Sequence, residues 1–202
     1  MDDSSLVVDH LSALFAGTPV GVACLYCDYR DMKAQAPANM LGGLLKQLIL
    51  EIAELEMPKK IIETYQQNKR KNLELSVACE MLVIALQSFR SVYLCIDALD
   101  ECDSDHRKAL LESLRRVMQD STRLFLTGRP NIEGDVNNFL QTKSPVAVQI
   151  IANQHDIEKY VNYCIDEDNN PDIMNDSLRE EIVTTISAAS QQMYINYERT
   201  PA

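Results

Sequence analysis

The sequence is poor in the residues and runs that mark several classes of protein. It contains no tryptophan, 6 glycines and 7 prolines among 202 residues, and 46% of the residues are hydrophobic. This composition excludes collagen-like and low-complexity chains and is typical of a globular domain. No apolar run reaches the roughly 18 residues that a membrane-spanning helix needs, and the acidic start lacks the basic region of a signal peptide. We therefore expect a folded cytoplasmic protein that does not contact a membrane.

Basic residues are scarce as well. Lys and Arg number 19 against 30 Asp and Glu, so the formal net charge is -11. Such a chain lacks the positive surface through which proteins bind the phosphates of nucleic acid. We expect no nucleic acid among its partners.

The six cysteines lack the dense, regular spacing of a secreted disulfide framework, and we expect free thiols. Cys24 and Cys27 form a CxxC pair. They lie within or beside an apolar, strand-like run, where residues three apart point to opposite faces. We interpret both as core residues.

Two kinds of apolar segment alternate along the chain. Short strand-like runs are predicted over residues 21–26, 92–96, 123–127 and 146–151. Helical windows are predicted over residues 6–15, 38–54, 58–71, 73–88, 105–119, 132–140, 156–166 and 177–189. This alternation is typical of α/β architecture with a parallel sheet covered on both faces.

The strongest chemical signal is the apolar strand over residues 92–96, which is followed by Asp97, Asp100 and Glu101. Ligands of open α/β sheets bind beyond the carboxyl ends of the strands. A carboxylate there can hold Mg²⁺, and Asp97 is the candidate. Glu101, or as second choice Asp100, is the candidate to orient or deprotonate a water that attacks a γ-phosphate. The alternative is that these carboxylates only cap the helix that starts near residue 105.

A second predicted strand ends in Thr127, Gly128 and Arg129. The guanidinium of Arg129 could bind a phosphate through two hydrogen bonds. The alternative is a surface arginine that precedes the turn-forming Pro130.

These two strand ends resemble the NACHT-type nucleotide-binding domain of fungal NLR-like proteins, in the STAND class of P-loop NTPases. Residues 92–101 resemble the extended Walker B motif, with Ala98 as the small residue after the metal-binding Asp97, and residues 124–130 resemble the sensor 1 strand. Residues 6–14 resemble the helix after the P-loop, and residues 21–29 the next strand. The resemblance implies a partial three-layer P-loop NTPase-like domain over residues 1–190 with a mostly parallel sheet, and a divergent tail over residues 191–202.

The sequence departs from that family at the P-loop. No GxxxxGK(S/T) pattern, whose backbone amides and lysine cradle phosphates, occurs in it. Lys143 precedes a serine but has no glycine before it, and Gly42 and Gly43 lie in a leucine-rich helix without the lysine. By the resemblance the chain begins just after the P-loop and lacks the first, P-loop strand. We therefore expect interrupted sheet pairing and no unaided hydrolysis.

The resemblance implies a regulatory role in an NLR-like signalling or defence protein. Its cofactors would be Mg²⁺ and ATP or GTP, with Thr127 and Arg129 contacting the nucleotide, and its partners would be proteins or other copies of the NACHT module. The alternative is a non-catalytic interaction module or remnant that binds no nucleotide. A metal-dependent hydrolase is disfavoured, because His10, His106 and His155 lie far apart in the sequence.

Overall fold

The chain divides into two compact units, Met1–Ser144 and Pro145–Ala202. The structure is a computed structural model and describes residues 3–33, 35–52, 57–68, 73–141, 146–148, 153–167 and 174–195. The first unit contains a β-sheet with its helices, and the second contains a pair of helices. The predicted division into residues 1–190 and 191–202 stays a prediction.

The first unit alternates helices with strands. In chain order these are α1 (Asp3–Leu14), β1 (Val20–Tyr26), α2 (Pro37–Ile52), α3 (Lys59–Asn68), α4 (Leu75–Gln87), β2 (Ser91–Asp97), α5 (Ser104–Val117), β3 (Thr122–Leu126) and the single turn α6 (Glu133–Asp135). A 3-10 turn (Leu99–Glu101) follows β2, another (Pro130–Ile132) precedes α6, and a π-helical turn (Val136–Leu140) follows it.

The three strands form one parallel sheet in the order β1-β2-β3. The prediction of α/β architecture with a parallel sheet is therefore confirmed. These three strands pair without a gap, because β2 pairs with β1 along one edge and with β3 along the other. The interruption of sheet pairing at a missing P-loop strand stays a prediction.

Helices lie on both faces of the sheet. Val92, Leu94 and Ile96 of β2 point to one face of the sheet, where they are fully buried in the core that also contains residues of α2, α4 and α5. Tyr93 points to the opposite face, where the ring of Phe15, just after α1, stacks on it with 5.3 Å between centroids. This arrangement is compatible with the three layers that the sequence predicts.

The leucine-rich stripe of α2 packs directly on β1. As predicted, it is buried, at Leu41, Leu44, Leu45, Leu48 and Ile52. Gly21 permits the close approach, since a Cβ at this position would lie 2.8 Å from Cδ2 of Leu48 and 3.2 Å from the ring of Phe89.

The two edges of the sheet differ. On β1, Oε1 of Gln47 accepts a hydrogen bond from the Cys24 amide (2.9 Å), and its Nε2 donates one to the Cys24 carbonyl (2.8 Å). Glu51 accepts another from the Val22 amide at 3.3 Å. On β3, Leu124 and Leu126 direct their backbone groups away from β2, given the alternation of the ladder, and these groups have no partner among the described residues. Side chains of α2 thus close the β1 edge, whereas the described part of the chain supplies no partner for the β3 edge.

The second unit contains α7 (Gln154–Asp166) and α8 (Asp176–Ile195), which pack against each other. Between them lies an apolar cleft of about 570 Å³, lined by residues that include Ile157, Val161 and Ile182. None of the described helices is long and apolar enough to cross a membrane.

The predicted strand over residues 146–151 is not seen where the structure describes it. Residues 146–148 have no regular structure, and Val146 and Val148 are 90% and 78% exposed. An apolar run forms a strand only if a neighbouring strand pairs with it, and no described strand pairs with residues 146–148. Residues 149–151 lie outside the described part of the chain.

Candidate functional site

The carboxyl ends of β2 and β3 lie side by side, because the two strands are parallel and paired in register. Thr127, the residue after β3, donates a hydrogen bond from its hydroxyl to Oδ1 of Asp97, the last residue of β2. The same hydroxyl accepts a hydrogen bond from the Ala98 amide at 3.0 Å, and the Thr127 carbonyl accepts one from the Leu99 amide at 3.0 Å. Thr127 therefore fixes both the Asp97 carboxylate and the chain that follows it.

Ala98 turns the chain sharply at the end of β2. Its φ of 51° and ψ of 43° place it in the left-handed region, which costs a non-glycine residue about 1–2 kcal/mol. The 3-10 turn begins at the next residue, so Asp100 and Glu101 stay at the same edge of the sheet as Asp97.

Asp100 and Arg129 form an ion pair across the two strand ends. Oδ2 of Asp100 lies 3.3 Å from Nε of Arg129, and Oδ1 accepts a hydrogen bond from the Arg129 amide at 3.2 Å. The Asp100 side chain is 9% exposed and the Arg129 side chain 80% exposed. The carboxylate thus lies beneath the guanidinium, which extends into solvent.

Gly128 packs closely on Ile132. A Cβ at residue 128 would lie 2.6 Å from Cδ1 of Ile132 and at ordinary contact distance, 3.4 Å, from both the amide nitrogen and Oδ1 of Asp100. A larger residue at this position would therefore require the Ile132 side chain to move.

Glu101 faces the loop that follows β1. Its Oε2 accepts a hydrogen bond from the Tyr29 amide at 3.3 Å, and the Cys27 amide donates to the Asp97 carbonyl at 3.0 Å. In the same loop, hydrogen bonds from Arg30 lower the pKa of Asp28 to about 2. The loop after β1 is thus a third element of this edge of the sheet. The only sign of this in the sequence is that the loop follows a predicted strand.

Two buried thiols lie behind the acidic turn. Cys27 and Cys102 are both in the core and share a hydrogen bond, which raises the pKa of Cys27 well above its ordinary value and lowers that of Cys102. All six cysteines of the chain are free, as predicted. Cys27 lies beyond the end of β1, and its packing agrees with the interpretation of a core residue.

The alternative of simple helix capping is wrong, because another residue caps α5. The carboxylate of Asp103 accepts hydrogen bonds from the amides of Asp105 (3.0 Å) and His106 (3.3 Å). Asp97, Asp100 and Glu101 instead bond to Thr127, Arg129 and the Tyr29 amide.

The carboxylates do not form a closed metal cage. Among the described residues, no group of three or more His, Cys, Asp and Glu side chains is arranged to hold a metal ion. Oδ2 of Asp97 accepts no hydrogen bond from the described residues. One carboxylate with a free oxygen, beside a threonine hydroxyl, fits a Mg²⁺ that keeps most of its waters and takes further ligands from phosphate. It does not fit an ion held by protein ligands alone.

A family model described as nephrocystin 3, N-terminal matches residues 4–129. This span includes all five predicted site residues, Asp97, Asp100, Glu101, Thr127 and Arg129. No curated protein matches the chain. Because the match covers more than half of the 202 residues, the chain belongs to the nephrocystin 3 N-terminal family.

Proposed function

We propose that this chain is a partial nucleotide-binding regulatory module of the NACHT type, a member of the STAND class, that serves an NLR-like signalling or defence protein. The observation that carries the proposal is the meeting of Asp97 with Thr127, and of Asp100 with Arg129, at the carboxyl edge of a parallel sheet. This is the edge at which α/β proteins bind phosphorylated ligands.

Each side chain has a role that its contacts allow. Asp97, oriented by Thr127, presents Oδ2 to a Mg²⁺. Arg129 presents its exposed guanidinium to a phosphate of ATP or GTP. Glu101, held at one oxygen by the Tyr29 amide, has its other oxygen available to orient a water. Bound Mg²⁺ would supply charge that draws phosphate oxygens to this edge.

The absent P-loop limits what these residues do by themselves. Charge-assisted hydrogen bonds contribute about 1.5–3 kcal/mol each, and the 202 residues contain no glycine-rich loop to supply them. We therefore propose weak nucleotide binding, with protein partners or self-association carrying the response, and no hydrolysis by this chain alone.

Equilibrium binding of a fluorescent ATP analogue, with and without Mg²⁺, tests the proposal on the full chain. Asp97→Asn should abolish the Mg²⁺-dependent part of the binding, and Arg129→Ala should weaken binding under both conditions. Asp105→Asn, which removes the same charge from an exposed position at the start of α5, is the matched control. Equal binding by all four proteins would contradict the proposal, and competition by GTP would measure nucleotide preference.

The second candidate is an interaction module that binds no nucleotide. The outer edge of β3 favours it, since the backbone groups of Leu124 and Leu126 have no partner among the described residues and lie beside Phe125, which is 39% exposed. A folded chain that bound neither ATP nor GTP analogues with Mg²⁺ would support this candidate over the first.

A further inference from the structure

We propose that Asp100 is a positioning residue, whose carboxylate holds Arg129 by its Nε side so that the terminal guanidinium nitrogens face a phosphoryl oxyanion. The inference rests on the proposed function, because it assumes that Arg129 contacts phosphate. It adds the residue that fixes where that contact is made.

The carboxylate holds the arginine at two points near the backbone. Oδ1 of Asp100 accepts from the Arg129 amide and Oδ2 lies beside Nε, at 3.2 and 3.3 Å. The guanidinium has five N–H donors. The Nε group makes an ion-pair contact with Asp100, and no N–H of the guanidinium donates a hydrogen bond to the described residues. The Nη1 and Nη2 groups form the pair that binds an oxyanion with two parallel hydrogen bonds.

Burial of the carboxylate favours the contact. The Asp100 side chain is 9% exposed, so few waters can replace Arg129 at its oxygens, whereas the guanidinium is 80% exposed and its charge is screened by solvent. The turn that carries Asp100 is itself anchored, because the Leu99 amide donates to the Thr127 carbonyl at 3.0 Å. The arginine therefore extends from a fixed base, and less conformational freedom is lost when it binds an anion.

The same contacts separate the roles of the two neighbouring carboxylates. Both oxygens of Asp100 lie against Arg129, Oδ1 through a hydrogen bond and Oδ2 through an ion pair, so the contacts of Asp100 are directed to the arginine. Glu101 has one oxygen bonded to the Tyr29 amide and the other available. The proposal thus assigns positioning to Asp100 and leaves the orientation of water to Glu101.

NMR of the ¹⁵N-labelled full chain tests this by following the Arg129 Nε–Hε signal during titration with inorganic tripolyphosphate. Arg129→Lys assigns the signal. We expect a saturable shift in the wild type and an affinity about tenfold lower in Asp100→Asn, because the freed arginine must be ordered on binding. Asparagine can still accept the Arg129 amide, so the loop contact remains. Asp105→Asn should bind as the wild type does.

The sign of the change is decisive. If Asp100 only competed with phosphate for the guanidinium, removing its charge would tighten the binding of tripolyphosphate. An affinity of Asp100→Asn for tripolyphosphate that equals or exceeds that of the wild type therefore overturns the proposal. Absence of a saturable Arg129 shift in the wild type overturns it as well. In an Arg129→Lys background, Asp100→Asn should have no further effect on the affinity for tripolyphosphate. This double variant tests the positioning role independently of the Asp100→Asn single variant.

The outcomes separate this inference from the proposed function. Asp100→Asn could weaken tripolyphosphate binding while Asp97→Asn leaves Mg²⁺-ATP binding unchanged. This pair of results would support the positioning role of Asp100 and contradict the proposed nucleotide site. Nucleotide binding that depends on Asp97 but not on Asp100 would support the proposed nucleotide site and contradict the positioning role of Asp100.

Discussion

Thr127 joins the ends of two strands through a single hydroxyl, which donates to the Asp97 carboxylate and accepts from the Ala98 amide. The carboxylate proposed for Mg²⁺ and the turn that carries Asp100 and Glu101 are therefore fixed by one side chain of the neighbouring strand. A change at Thr127 should affect both the stability of this edge and its binding.

Thr127→Val removes the hydroxyl while keeping a β-branched side chain. The Ala98 amide and the Asp97 carboxylate would each lose a partner, and we expect the free energy of unfolding to fall by about 1–3 kcal/mol. Urea denaturation measures the change. Thr127→Ser keeps the hydroxyl and should lose less than about 1 kcal/mol, so equal losses in the two variants would show that the hydroxyl contributes nothing.

Ala98→Gly should leave stability unchanged or raise it by up to about 1 kcal/mol. The left-handed φ of 51° is unfavourable for alanine and free of strain for glycine, whose greater freedom in the unfolded chain offsets part of the gain. Ala98→Val should destabilise the chain, because a β-branched residue tolerates this region poorly. The melting temperature of Ala98→Gly should equal or exceed that of the wild type, and both should exceed that of Ala98→Val. A melting temperature of Ala98→Val equal to that of the wild type would contradict the turn geometry.

Gln47→Leu should remove the hydrogen bonds by which α2 covers the β1 edge of the sheet at Cys24. Its amide satisfies both the N–H and the C=O of Cys24, and leaving these partly buried groups unpaired costs about 1–3 kcal/mol. Gln67→Leu, at an exposed position of α3, is the control and should change stability by less than about 0.5 kcal/mol. Hydrogen exchange of the Cys24 amide should become faster in the first variant only.

The Cys95 thiol makes stability depend on alkaline pH. Burial and the nearby Cys24 raise its pKa from 9.0 to about 11. The folded chain therefore keeps a proton that the unfolded chain releases, and this contribution to stability, full below pH 9, is lost as the pH rises through about 11.

Cys95→Ala measures that contribution. Between pH 8 and pH 10.5 the wild type should lose about 1–2 kcal/mol more of its unfolding free energy than this variant. Val92→Ala removes a buried side chain of the same strand without a titrating group, and it should lose as much as the wild type. If Cys95→Ala lost as much as the wild type, the stated cause would be wrong.

Much of the fold could be predicted because its helices and strands carry local patterns. The apolar runs placed all three paired strands within about two residues, and the leucine spacing placed α2 and its buried face. The predicted helix over residues 132–140 is helical but of mixed type, with a 3-10 turn over Pro130–Ile132, an α-helical turn over Glu133–Asp135 and a π-helical turn over Val136–Leu140. Pro130 starts a 3-10 turn, and Arg107 of α5 binds Asp135 at 2.7 Å, a tertiary contact that no local pattern reports.

The candidate site was predictable in its residues but not in their pairing. The sequence places Asp97 and Thr127 at strand ends, and parallel pairing alone brings them together. The choice of Arg129 as the partner of Asp100, and of the Tyr29 amide as the partner of Glu101, depends on loop conformations, among them the left-handed conformation of Ala98. The strand over residues 146–151 was predicted from apolar content, and such content cannot show whether a neighbouring strand is present.

A ¹H–¹⁵N NMR titration of the full chain with Mg²⁺-ATP tests the proposed phosphate-binding edge most directly. We expect saturable shifts of the amides of residues 97–101 and 127–129 and of Tyr29, with α8 unchanged. A well-dispersed spectrum without shifts at these amides, or with shifts elsewhere alone, would contradict the claim that the ends of β2 and β3 form a phosphate-binding site.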